Sequence, residues 1–188
     1  DYLAMDHFAP RKVFFPTEVI HGLYDGGHGA GLEDFWLRMW NHPLSAGAFL
    51  WVFSDEAVKR TDTGELDSDG NHAPDGILGP YHEKEASFFT IREIWAPVFF
   101  EKRYLTPEFN GKFRIQNRYF YTHLDRCSFT YTWIRLQDPS QPGITGPGSK
   151  GQGQILNFGI PEVDPLEPGQ YGSLQVPLFD NWREADVL

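Results

Sequence analysis

Two apolar runs too short to be helices bracket one helical segment, and that order restricts the fold more than any other feature of the chain. Val13, Phe14 and Phe15 form the first run, the signature of a strand buried on both faces. Leu32, Phe35, Trp36, Met39 and Trp40 then recur at i, i+3, i+4, i+7 and i+8, the spacing of an amphipathic helix. The glycines of 26–31 precede this segment and Pro43 follows it, marking both ends. Residues 46–53, Ala-Gly-Ala-Phe-Leu-Trp-Val-Phe, are too short and too rich in β-formers for a second helix. They read as a second fully buried strand. Strand, helix and strand within about forty residues make a βαβ unit with parallel strands.

Carboxylates stand where both runs end: Glu18 after the first, Asp55 and Glu56 after the second. A charged group just beyond a buried parallel strand is where α/β barrels place their chemistry, which makes Glu18 the first candidate for a catalytic residue. A lone glutamate is more often a loop cap or a salt-bridge partner, so its weight depends on its neighbours. Trp51 ends the second run, either as a last core layer or as the floor of a site at the strand mouth. The polar residues that follow it favour the mouth.

Beyond Pro97 the pattern changes. A polar connection over 59–80 and a helical stretch from about Lys84 to Trp95 come first. Phe113, Ile115, Asn117 and Tyr119 then alternate with Arg114, Gln116 and Arg118, and Phe129, Tyr131 and Trp133 alternate with threonines. Period-two alternation of this composition indicates antiparallel strands. Further strands are expected near 155–158 and 173–179, with the Pro/Gly-rich 139–153 as an extended hairpin loop. The reading is α/β followed by all-β, with domains at 1–103 and 104–188 and the change-over between Val98 and Asn110.

A formal net charge of −10 argues against nucleic-acid partners, because an acidic surface repels phosphates. No apolar run approaches the ~20 residues of a membrane-spanning helix. The single cysteine, Cys127, excludes an internal disulfide framework and a cysteine-based zinc site. It leaves cytoplasmic and periplasmic or secreted locations open. The glycine run lacks the spacing and the Lys-Ser or Lys-Thr of a phosphate loop and reads as structural. From Asp67 the chain begins D-x-D-G-N, but the twelfth position is Leu78, where an EF-hand needs a bidentate Glu. The seven histidines show no H-E-x-x-H spacing, and no serine lies in G-x-S-x-G. His21 lies three residues after Glu18, and a lone histidine is more often structural than functional.

Taken together, Glu18-x-x-His21, the glycines leading into Phe35-Trp36, and the run from Gly47 to Glu56 resemble the end of the catalytic barrel of family 2 glycoside hydrolases, the β-galactosidases. Arg60-Thr61-Asp62-x-Gly64, Asp75-Gly76-Ile77 and the stretch from Ile91 to Val98 continue the resemblance. Residues 110–188, with the run from Ile115 to Tyr121 and with Trp133, are similar to the immunoglobulin-like β-sandwich that follows that barrel. The resemblance implies the last two strand–helix units of a (β/α)8 TIM barrel and then the sandwich. It implies that Glu18 is the nucleophile of a retaining mechanism and that His21 contacts the sugar. Trp51 would form an apolar platform under the sugar, supported by Asp55. Asp75 falls where better-known members carry an asparagine near the sugar's hydroxymethyl group and a sodium ion.

The expected partner is a carbohydrate substrate, with no nucleic acid and no membrane. The full-length enzyme admits a homo-oligomer and bound sodium or magnesium, and no organic cofactor is implied. A complete barrel needs ~250 residues, and a retaining glycosidase needs a second carboxyl group as acid/base. The expectation is therefore a fragment, inactive alone, of a larger enzyme. Two alternatives stay open: a β-glucuronidase or other glycosidase of the same family, and a non-catalytic carbohydrate-binding sandwich. Aromatics aligned on one exposed sheet face would favour the last.

Overall fold

The computed structural model describes residues 12–19, 29, 31–67, 75–136 and 153–188. Helices α1 (Leu32–Trp40) and α2 (Ala86–Ile94) form where the sequence spacing places them. Glu33 and Asp34 in the first turn of α1 and Arg38 in its last turn oppose the helix dipole favourably. The helices meet in an apolar cluster of Leu32, Ile77, Leu78, Ile91 and Ile94, against which Trp36, Leu50 and Trp95 pack. Trp36 and Trp95 lie 5.1 Å apart between ring centroids. Phe35 turns away and is largely exposed, so the buried stripe is narrower than the five-residue pattern suggests.

The two apolar runs do lie side by side and parallel. Phe14 pairs with Ser45 and Val19 with Leu50 at the same offset. Further along, Ser54 pairs in parallel with Leu78. The run at 46–53 thus passes from one parallel neighbour to another.

The expectation that these strands are buried on both faces is not met among the described residues. Leu50 packs on the helical cluster, but Phe49 and Phe53 are 58% and 63% exposed, and Val13 is 66% exposed. Successive side chains of a strand point to opposite faces. The helices cover the face that holds Leu50, while Phe49 and Trp51 belong to the other. There Phe15 meets Phe49 edge-on, with centroids 5.2 Å apart. The polar connection at 59–80 opens with a short hairpin that starts one residue earlier, β1 (Val58–Lys59) with β2 (Leu66–Asp67), tied by Arg60 to Asp62 and Asp67.

The chain divides into two compact units after Ala96, because β3 (Val98–Phe100) already pairs antiparallel with β4 (Lys112–Asn117). The rest of the second unit comprises β5 (Tyr131–Arg135), β6 (Gln154–Gly159), β7 (Glu162–Val163) and β8 (Tyr171–Gln175). They form an antiparallel sheet of order β3-β4-β8-β7 and an antiparallel pair β5-β6. One core joins them: Ile115 from β4, Trp133 from β5 and Leu174 from β8, with Leu124, Leu166, Val176 and Trp182. Two antiparallel sheets sharing one apolar core are consistent with a β-sandwich. The strands β5 and β6 flank the Pro/Gly-rich stretch expected as a hairpin loop, and residues 139–152 of that stretch lie outside the described residues.

Alternation on β4 puts Phe113, Ile115 and Asn117 inward, as the sequence period predicts. Asn117 is fully buried, and a buried amide is tolerated only when hydrogen-bonded. Its side chain donates to the carbonyls of Thr122 and Leu166 at 2.9 Å each and accepts from the Tyr119 N–H at 3.0 Å. It closes the end of the strand against two loops.

Candidate functional site

The bridge between Val19 and Leu50 decides where the strand-end residues sit. The Val19 N–H donates to the Phe49 carbonyl at 2.8 Å, and the Trp51 N–H donates to the Val19 carbonyl at 3.0 Å. Glu18 directly precedes this bridge on one segment and Trp51 directly follows it on the other. The two residues therefore stand two levels apart on adjacent parallel segments, one on each side of the bridge. Glu18 is exposed, and Trp51 is 39% exposed. His21 lies outside the described residues.

Behind Trp51 the backbone changes partner. The Val52 N–H donates to the Asp75 carbonyl at 3.1 Å, and the Ile77 N–H donates back to the Val52 carbonyl at 3.1 Å. The Trp51–Val52 peptide bond is cis. Asp75 also reaches the indole: Trp51 Nε1 donates to Asp75 Oδ2 at 2.9 Å. The carboxylate is buried, 5% exposed. It holds the indole by an ionic acceptor, a stronger bond than one between neutral groups.

Asp55 acts one step further back. Its Oδ1 accepts from the Gly76 N–H at 2.8 Å, which fixes the residue next to Asp75. Burial pushes the Asp55 carboxyl above its ordinary value of 3.8; the Gly76 hydrogen bond opposes this, and the nearby charges of Asp75 and Glu83 add to it. The resemblance implies that Asp55 supports Trp51; the indole itself donates to Asp75, and Asp55 accepts from the Gly76 N–H in the turn that carries Asp75.

Gly76 and Glu83 escaped the sequence reading as members of this cluster. Gly76 has no room for a side chain, because a Cβ there would lie 2.7 Å from Ser54 Cα and closer still to the Asp55 backbone. The Asp-Gly dipeptide was its signal. Nothing local to Glu83 announces its place; the turn from Gly79 brings it back, with the Gly79 N–H donating to the Glu83 carbonyl at 2.9 Å. Among the described residues, no three His, Cys, Asp or Glu side chains gather in a way that could hold a metal ion. No helix among them is long and apolar enough to cross a membrane.

The arrangement joins an exposed carboxylate to a half-exposed indole held from behind by a second carboxylate. Such a surface can accept a ligand with an apolar face and put a nucleophile or base beside it.

No protein-family model matches the chain. It is similar to a protein named beta-galactosidase from Priestia megaterium, at 24% identity over 189 residues, covering 94% of this chain and 16% of that protein. It is also similar to one named beta-galactosidase from Actinobacillus pleuropneumoniae, at 30% identity over 98 residues, covering 48% of this chain and 10% of that protein. The chain thus spans less than a fifth of the length of these relatives.

Proposed function

We propose that the chain belongs to the catalytic region of a retaining exo-β-glycosidase that hydrolyses terminal β-galactosides. The observation that carries this reading is the parallel bridge between Val19 and Leu50, with Glu18 and Trp51 on either side of it. The similarity to two proteins named beta-galactosidase supports it. In this proposal the parallel segments are the last two strand–helix units of a (β/α)8 barrel of family 2, and the antiparallel unit is an immunoglobulin-like sandwich.

The chemistry follows from the residues. The Glu18 carboxylate attacks the anomeric carbon while the bond to the leaving oxygen breaks, and an acid/base carboxyl group gives that oxygen its proton. The same group then takes a proton from water, which attacks the glycosyl-enzyme and frees Glu18. We assign the acid/base to another part of a longer polypeptide, so the 188-residue chain alone should show no turnover. Trp51 lies under the apolar face of the sugar, and His21 is proposed to contact it. Asp55 and Asp75 act through Trp51 and its turn.

The same carboxylates support a neutral galactoside over the β-glucuronide alternative. Asp55, Asp75 and Glu83 place negative charge behind the platform, which opposes a uronate carboxylate. The site lies on the parallel segments of the first unit and outside the antiparallel unit, which favours an enzyme over a non-catalytic sandwich module for it.

A 2-deoxy-2-fluoro-β-galactoside tests the assignment in the full-length protein. It should leave a stable covalent label, and peptide mapping should find that label on Glu18. Glu18→Gln keeps the shape and removes the attacking charge, so kcat should fall by several orders of magnitude with the fold retained. A label on any other residue, or an active Gln variant, would refute the role.

A further inference from the structure

The second unit carries a groove of its own. Strand β3 ends at Phe100, opposite Ile115, so the first half of β4 has no strand beside it on that edge. The last bond along the edge runs from the Glu101 N–H to the Arg114 carbonyl at 3.1 Å. From there the chain arches outward through 102–110 before it enters β4. Between the arch and the outer face of β4 and β8 lies a groove of about 770 Å³. That falls within the ~300–1,000 Å³ of small-ligand sites.

Three properties of its lining define the ligand. The first is aromatic: Tyr104 and Tyr171 both line the groove and are 68% and 52% exposed. A tyrosine offers an apolar face with a polar rim, which matches a pyranose ring with its apolar C–H face and its ring of hydroxyls.

The second is a balance of charge. The carboxylates of Glu101, Glu108 and Asp164 stand against the cations of Lys102, Lys112 and Arg114. The groove offers no net field to draw in an anion or a cation, yet it is lined with strong donors and acceptors.

The third is fixed geometry. Arg114 is held by Glu101 at 3.0 Å and lies over the Tyr171 ring at 5.3 Å from its centroid. Asp164 accepts from the backbone N–H of Ser173 at 2.6 Å and from its hydroxyl at 2.9 Å. These bonds from the Ser173 hydroxyl and N–H hold its carboxyl below the ordinary value. Groups already held in place lose little freedom on binding.

We propose that this groove is a second carbohydrate site, one that binds a neutral oligosaccharide chain. The exposed tyrosine faces stack on its sugar rings, the fixed carboxylates accept hydrogen bonds from its hydroxyls, and the guanidinium donates to the hydroxyl oxygens. The site lies wholly in the second unit and does not rest on the role of Glu18.

Titration of the 188-residue chain with β-1,4-galactotetraose, followed calorimetrically, tests it. Binding should be measurable at millimolar ligand and insensitive to added salt, as suits an uncharged ligand. Tyr104→Ala should weaken it about tenfold or more, and Tyr104→Phe, which keeps the ring, should restore most of it. Tyr104 is largely exposed, so neither change should alter the melting curve. Trp51→Ala should leave this binding intact, which separates it from the strand-end site. Absence of binding at millimolar ligand would overturn the proposal. So would a Tyr104→Ala variant that binds as well as the parent, loss of binding confined to Trp51→Ala, or stronger binding of tetragalacturonate than of the neutral chain.

Discussion

Removing the Asp75 carboxylate should release the Trp51 indole, by an amount the structure allows one to work out. The bond from Trp51 Nε1 to Asp75 Oδ2 is 2.9 Å long, and hydrogen bonds to charged groups contribute roughly 1.5–3 kcal/mol. Two features reduce the net effect of Asp75→Ala. The indole is 39% exposed, so water recovers part of its lost bond. The buried carboxylate also raises the Asp55 carboxyl by its charge, and that repulsion disappears with it. A loss of about 1–2 kcal/mol remains. The backbone bond from the Val52 N–H to the Asp75 carbonyl survives the substitution, so the turn should persist.

A double-mutant cycle isolates the side-chain bond. Trp51→Phe keeps an aromatic ring and removes the N–H. The two changes should couple by about 1 kcal/mol in urea unfolding of the first unit. Hydrogen exchange followed by NMR offers a second readout: the Trp51 indole proton should exchange slowly in the parent chain, faster in Asp75→Ala, and slowly again in Asp75→Asn, which retains an acceptor oxygen. Coupling below about 0.3 kcal/mol, the ordinary limit of additivity, together with unchanged exchange would refute the claim that Asp75 holds the indole.

Other consequences follow from the same turn. The Asp55 carboxyl is raised above its unfolded value of 3.8, so the native state binds the proton more tightly than the unfolded chain. That contribution is fully present below pH 3.8 and is lost as pH rises through the folded value. Asp55→Asn, which keeps an oxygen for the Gly76 N–H, should therefore raise Tm at neutral pH. The gain should vanish when the melts are repeated near pH 3.8. Gly76→Ala would drive a methyl group to 2.7 Å from Ser54 Cα and against the Asp55 backbone. Overpacking of this kind costs about 1–3 kcal/mol or more, and a urea midpoint equal to that of the parent would contradict the packing described.

Much of this protein was legible in its one-dimensional pattern, because local spacing reports which face of an element meets the core. The i, i+4, i+7 recurrence of Leu32, Trp36 and Met39 was enough to place α1, and alternation from Phe113 to Asn117 was enough to orient β4. The carboxylate after the first apolar run and the tryptophan at the end of the second marked a candidate site, since charge appears where a strand leaves its neighbours.

What the pattern could not supply was any relation between distant segments. Nothing near Trp51 in sequence says that its indole donates to a carboxylate 24 residues away, or that Asp55 holds the glycine beside that carboxylate. Nor does alternation alone show which face of residues 46–53 is covered. Among the described residues the helices pack on the side of Leu50, and burial depends on what lies opposite as much as on the residue itself. The groove of the second unit is of the same kind. Glu101, Arg114, Asp164 and Tyr171 are ordinary surface residues in sequence. Antiparallel register sets Arg114 opposite Ser173 and gathers them on one face. Hydrogen-bond partners, covered faces and charge neighbours are contacts across long loops, and such contacts exist only after the chain has closed on itself.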